Sequence, residues 1–364
     1  MIKVREVYDF LNELAPFAYT DKFDNTGLLV GDFNDNVNKI LLALDITNAV
    51  IDEALNKDFG LIISHHPIIF NPIKRMDSNN PVYKLVRNFK NAIAVHTNLD
   101  MANGGVSDIM AELLCLKNTE EVLETAYKNP YKQVVVFVPK DNVNEVYNAM
   151  TNAGAGEQGS YRGCSFSVDG EGVFQPIQGA NPHIGTVGKL EKVNEVRLEM
   201  LVKPSKLNAV IKAMLNAHPY EEPAYQILDN HALYEEIGYG RICEVEDEID
   251  ARALAEKVKK AYNCSVVRYV DGGKPVKRIA VCSGSGGGLY ELAHQKGVDA
   301  YITGDIKHSQ WIGANNLGLT LIDGGHFHTE NIILKYLQRK IKERFPTIEV
   351  EIAEFNFDVV KYIV

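Results

Sequence analysis

The chain has no CxxC pair, no stripe of basic residues and no uncharged apolar run long enough to cross a bilayer. Its five cysteines, Cys115, Cys164, Cys243, Cys264 and Cys282, are scattered and odd in number. They read as reduced, mostly buried thiols of a cytoplasmic protein, which excludes a disulfide framework. A net charge of −10 leaves no surface for neutralising a nucleic-acid backbone, so nucleic acid is not an expected partner. Met1 to Glu6 lack the apolar core of a signal peptide, and no membrane association is expected. The glycine-rich run Cys282 to Gly288 has neither the lysine of a P-loop nor the spacing of a dinucleotide fingerprint. It reads as a tight strand-to-helix turn or as backbone N–H groups offered to a phosphate.

What the chain does have is 364 residues, 46% of them hydrophobic and 24% charged, enough for a sizeable core. It also has histidines in unusual places. His65 and His66 follow directly on Leu61-Ile62-Ile63-Ser64 and precede Pro67. Successive strand side chains point to opposite faces, so one apolar environment cannot bury both imidazoles. Pro67 ends strand pairing, and the two rings are expected to emerge together at a strand end. Ala92 to Asp100 repeats the arrangement, an apolar run discharging into His96 and Asp100. Leu319 to Glu330 repeats it again, with His326, His328 and Glu330. Strand-end loops bearing imidazoles and carboxylates build sites at the carboxyl edge of an α/β sheet. His supplies nitrogen ligands, and Asp or Glu can bridge two cations, so a dinuclear metal centre is expected.

The fold class is α/β. Helices are expected at Val4–Leu14, Val50–Leu55, Val82–Phe89 and Val106–Leu116, with strands at Lys39–Leu44, Leu61–Ser64 and Ala92–His96. The same mode returns after about 237, with helices Ala251–Tyr262 and Leu289–Lys296 and strands Lys277–Cys282, Ala300–Thr303 and Leu319–Ile322. A helix from Asn331 to Arg344 and a strand Ile348–Ala353 close the chain. Such alternation implies βαβ units and a substantially parallel sheet. The stretch between differs. Val138, Asn144, Val146, Met150, Glu157 and Tyr161 recur as Val202, Asn208, Val210, Met214, Glu221 and Tyr225, at a constant offset of 64 residues. Each copy reads strand, helix, strand, which together make a ferredoxin-like α+β plait inserted into the chain. The expected domains are 1–127 and 233–364, two βα-rich halves of one metal-binding domain, interrupted by 128–232.

Ser64 to Pro67, His96 to Asp100 and Gly325 to Glu330 resemble the NIF-three-like family, whose bacterial members are often named GTP cyclohydrolase type-two homologues. The likeness also takes in Asp24 to Leu28, Gly238 to Arg241, Cys282 to Gly286 and Thr303 to Asp305, covering about 1–120 and 237–364. The inserted plait, with His218 to Tyr225, looks like the PII- or CutA-like insertion of the family's longer members. The resemblance implies a homohexameric toroid whose subunits each hold two divalent cations. It carries over His65, His66, Asp100, His326 and Glu330 as ligands, with Glu330 bridging.

Spacing bears on the last pair. His326 and Glu330 are neighbours if the chain turns helically there; in an extended chain His328 and Glu330 would share a face. Thr329 and Asn331 read as a helix start, which favours the first. His96 is expected to orient Asp100 rather than to ligate, and His328 to contact a ligand shell or substrate. Asp305 and His308, after another strand, are candidate proton donors or acceptors, against a helix cap and a solvated imidazole. The functional expectation is a metal-dependent hydrolase acting on a nucleotide or phosphoester-like small molecule. The alternative is a non-enzymatic metal-binding or metal-handling scaffold with a ligand-sensing insertion. Ligation without thiolate suits zinc first, and also iron, manganese or nickel.

Overall fold

Leu61–Ser64 is buried at every position, the pattern of a parallel strand covered on both faces. It lies at the centre of a five-stranded sheet ordered Glu349–Ile352, Lys39–Ala43, Leu61–Ser64, Asn91–Ala94, Gly27–Val30. The first four strands run parallel, and the last is an antiparallel edge. This is a computed structural model, describing residues 1–88 and 90–363; Phe89, the expected end of one helix, lies outside the described residues. Among the described residues no helix is long and apolar enough to cross a membrane.

Both faces of the sheet are covered by amphipathic helices. Val4–Leu14, Val106–Leu113 and Ile333–Arg344 send Val7, Leu11, Val106, Ile333 and Leu337 against Ile40, Leu42 and Ile63. Asn48–Asn56 and Pro81–Arg87 cover the other face, with Val50, Ile51 and Leu85 against Leu41 and Ile62. Helix Val106–Leu113 serves two cores. Its Met110 and Ala111 pack with Val258, Ile279, Ile302 and Ile322 of a second sheet. There Val276–Val281, Ala300–Thr303 and Thr320–Asp323 run parallel, and Arg268–Val270 pairs antiparallel at the edge. The whole is a mixed α/β fold with several sheets.

The chain divides into two compact units, Met1–Tyr127 with Ile237–Val364, and Lys128–Glu236. It passes between them within two long strands, Lys117–Pro139 and Tyr225–Ile249. Inside the second unit the order is strand, helix Val143–Asn152, strand Ser165–Phe174, strand Glu191–Val202, helix Leu207–Ala217, strand. Repeat-equivalent residues share one core: Val146 with Val210, and Met150 with Met214, all buried together. The 64-residue offset therefore marks two helices laid on one sheet.

Several boundaries depart from expectation. The edge strand Gly27–Val30 is not among the expected strands: it opens on a glycine and shows no apolar–polar alternation. Lys117–Pro139 begins Lys-Asn-Thr-Glu-Glu, a polar composition that disguises a strand. The expected single helix Asn331–Arg344 is two, His326–Asn331 and Ile333–Arg344.

Candidate metal centre

Parallel strands end at one edge, and the residues just beyond them meet there. After Ser64 the backbone N–H groups of His65 and His66 still bond Ala43 and Leu44, which fixes both residues before Pro67. His65 is fully buried and His66 partly so, their ring centroids 5.3 Å apart. His96 ends the neighbouring strand, its ring 5.2 Å from His65 and 5.3 Å from His66. It caps the short helix Thr97–Met101, on which Asp100 is carried. From the other sheet, Thr320–Asp323 leads through Gly325, at φ +80°, into helix His326–Asn331. The helical alternative holds: His326 Nε2 lies 3.1 Å from Glu330 Oε2 in i, i+4 relation.

Each imidazole is anchored through Nδ1. His65 Nδ1 lies 2.9 Å from the Val95 carbonyl, and His66 Nδ1 2.9 Å from Asp45 Oδ1. His96 Nδ1 meets Asp24 Oδ1 at 2.9 Å, and His326 Nδ1 meets Asp305 Oδ2 at 2.7 Å. A carbonyl or carboxylate can only accept, so Nδ1 donates in every case and Nε2 is left with a lone pair. Those lone pairs face carboxylates. His66 Nε2 is 2.9 Å from Glu330 Oε2; His65 Nε2 is 3.6 Å from Asp100 Oδ1 and 3.8 Å from Glu330 Oε1. Lone pair against lone pair is stable only with positive charge between, supplied by protons or by a cation. His65 Nε2 and Glu330 Oε2 are buried without a hydrogen-bond partner, so the donor set fits a metal. Three groups of ligand atoms lie within 4.8 Å of one another: His65, His66 and His96; His66, His326 and Glu330; His65, Asp100 and Glu330.

Electrostatics tell the same story for the metal-free cluster. Burial disfavours charge on His66, yet the carboxylates of Asp45 and Glu330 beside it raise it to about 10. The Glu330 contact, helped by Asp305, raises His326 to about 9. Against the desolvation of burial, the three imidazoles around it hold Glu330 well below the usual carboxylate range. Asp100 goes up, chiefly because it is buried.

Asp24 was not anticipated. Burial pushes its carboxyl up, but His96 and Thr97 hydrogen bonds hold it at about 2. It accepts from Thr97 N and Oγ1 as well as His96, so a buried ionised carboxylate orients that imidazole. No hydrogen bond joins His96 to Asp100 among those described; Ser283 Oγ donates to Asp100 Oδ1 at 2.8 Å instead. The glycine-rich run finds its role here. Gly284 sits at φ +59°, and a Cβ on it would lie 2.1 Å from Glu330 Oε1. The turn wraps the carboxylate rather than standing free for phosphate.

The two proposed proton-transfer residues part company. Asp305, at φ +52°, accepts from His326 and Ser285 Oγ, so it positions an imidazole and caps no helix. Lys307 precedes helix His308–Asn316, and His308 is exposed there with no described contact to the cluster. His328 lies outside the three groups, 3.7 Å from Asp358. It does line a cavity of about 970 Å³ that opens on His66 and His326, walled by Phe327, Phe355, Phe357 and Tyr362. Besides these histidines Arg268 lines it, and that guanidinium pairs with Asp323.

Comparison with known proteins follows the same lines. A family described as Duf34/NIF3 (NGG1p interacting factor 3) matches residues 2–359. The chain is 40% identical over 342 residues to the GTP cyclohydrolase 1 type 2 homolog of Bacillus subtilis (strain 168), covering 93% of this chain and 91% of that protein. A Staphylococcus aureus (strain MSSA476) protein of the same name is 34% identical over 372 residues, covering both chains completely. Among solved structures, a Bacillus cereus protein related to NIF3 superposes with a TM-score of 0.77 at 36% identity, covering 100% of this chain and 99% of that one.

Proposed function

The chain belongs to the Duf34/NIF3 (NGG1p interacting factor 3) family, and from that premise we propose that it binds two divalent cations and works as a metal-dependent hydrolase. Its substrate is a nucleotide or phosphoester-like small molecule. The observation that carries the reading is the convergence of the Nε2 atoms of His65, His66 and His326, each ring fixed by an Nδ1–H donated to a carbonyl or carboxylate, on the carboxylates of Asp100 and Glu330. His65, Asp100 and Glu330 would hold one cation, and His66, His326 and Glu330 the other, with Glu330 bridging. His96 adds a sixth donor beside His65 and His66. An all-imidazole and carboxylate set suits zinc first, then iron, manganese or nickel. When bound, such cations supply Lewis acidity to a phosphoryl group or an activated ring carbon.

The chain's own residues do the rest. Asp24, Asp45 and Asp305 hold His96, His66 and His326 in the liganding tautomer. The aromatic cavity walls offer faces for a flat ring, and Arg268 a charge for an anionic group. The printed name of the relatives, GTP cyclohydrolase 1 type 2 homolog, agrees with a ring-opening or ester-cleaving role. We further propose a homohexamer in the cytoplasm, with Lys128–Glu236 a PII- or CutA-like plait that senses a ligand. One observation favours the scaffold reading instead: Asp305 is committed to His326, and His308 is exposed with no described contact to the cluster.

Turnover by the metal-loaded protein on a panel of nucleotides and phosphoesters separates the two. The hydrolase reading expects saturable, chelator-sensitive turnover of at least one. Full metal content with no turnover across the panel favours the scaffold.

A further inference from the structure

The segment His218 to Tyr225, dense in aromatic and acidic side chains, has no part in the metal centre. It borders a second cavity, of about 320 Å³, lined wholly by residues of the unit Lys128–Glu236. Such a volume lies at the small end of ligand pockets. His218 braces a lining residue without lining the cavity itself. Its Nε2 donates to the Phe137 carbonyl at 3.0 Å, and its Nδ1 accepts from Tyr220 N at 3.1 Å. Both nitrogens are satisfied, so this imidazole is a neutral brace. It aims Tyr220 into the cavity, where that ring stands edge-on to Phe174 at 5.8 Å, with His183 at 6.4 Å.

The carboxylates of Glu195, Glu221 and Glu222 border the cavity together with Gln175 and His183, and among the described residues no lysine or arginine does. Among the described residues Glu195 Oε1 accepts from Tyr220 Oη alone, at 3.0 Å. Its Oε2 stands where Gly172 carries no side chain; a Cβ there would come within 2.2 Å. The nearby cations are spent elsewhere, Lys192 on Glu171 and Arg197 on Glu199. The internal repeat sharpens the point. Glu157, the counterpart of Glu221 one repeat earlier, is neutralised by Lys206 at 2.7 Å. Among the described residues Glu221 receives the Asn181 N–H alone, at 2.9 Å. One copy of the repeat closes its carboxylate with a lysine; the other leaves it open to a cavity with aromatic walls.

We infer that this cavity is a binding site for a small organic cation, an ammonium or guanidinium group on an apolar or aromatic body. The carboxylates take the charge and the faces of Phe174 and Tyr220 take the body and part of the charge. The site is independent of the metal centre, and nothing in its recognition needs a metal.

The test titrates the full-length, chelator-treated protein with tyramine, using 4-hydroxyphenylacetate as an anion with the same ring. Tyramine binds saturably at one site per chain and weakens as salt rises, and the anion does not bind. Glu195→Gln with Glu221→Gln weakens tyramine on the order of tenfold, and thermal unfolding checks that the variant is folded. Glu222→Gln, an exposed position, gives a smaller loss and serves if the double variant fails to fold. Tyr220→Phe keeps the ring and costs less than removing the charges. No saturable tyramine binding, equal binding of the anion, or binding indifferent to every glutamate substitution overturns the inference.

Discussion

His65 and His66 illustrate how a single alternation rule reaches its limit at a strand end. Side chains that would point to opposite faces inside a strand converge once the pleat stops, and one is wholly buried while the other borders a cavity. At this scale the three strand-end clusters were legible because each follows an apolar run, while the choice of His65, His66, Asp100, His326 and Glu330 within them came from the family resemblance. Their anchors were not. Asp24 meets His96 across 72 residues, and no local pattern announces that pairing. His308 misled for the opposite reason: a histidine after a strand reads as part of the edge, yet its helix leaves it exposed. The anchor is the place to test the tautomer argument. Asp24→Asn replaces an ion by an amide that can present its N–H to His96, and metal affinity is expected to fall by roughly 10- to 100-fold. Competition with a chelator of known affinity measures it; an unchanged affinity means that His96 and its anchor lie outside the metal's reach.

At the scale of elements, two sheets are held together at their loop ends by imidazoles from one and a carboxylate helix from the other. Without metal that contact is between imidazolium and carboxylate. The sign of its pH dependence follows. The folded values of His66 and His326, about 10 and about 9, lie above the unfolded value near 6.5. Stability from these two groups is complete below about 6.5 and is lost as pH rises through about 9 to 10. The metal-free protein should therefore unfold at progressively lower temperature from pH 7 to pH 10, and the metal-loaded protein should lose less. Calorimetric scans across that range check it, and a metal-free melting temperature that rises with pH contradicts it. The parallel strands and the helices of both sheets were legible from periodicity, and the antiparallel edges Gly27–Val30 and Arg268–Val270 were not. Their pairing was not, since the helix Val106–Leu113 has to be seen in three dimensions before its two apolar faces assign it to two cores.

For the whole molecule, the internal repeat revealed the second unit, and its exact borders depended on strands that run through both. Where the chain leaves and re-enters the first unit the two backbones touch: a Cβ on Gly238 would lie 1.9 Å from the Glu124 carbonyl. Removing residues 128–236 and rejoining with a short Gly/Ser linker should therefore leave a folded protein that keeps its metal, since each unit has a buried core of its own. Circular dichroism with metal analysis checks this; an insoluble or metal-free product means that the second unit is integral to the first.

The central claim is a dinuclear centre bridged by Glu330, and metal analysis of the reconstituted protein beside Glu330→Ala tests it most directly. The account predicts about two divalent cations per chain in the parent, because six donors exceed what one tetrahedral ion takes. It predicts a folded variant that has lost most of one or both. A parent that takes up no metal, or a variant that retains the full complement, would contradict it.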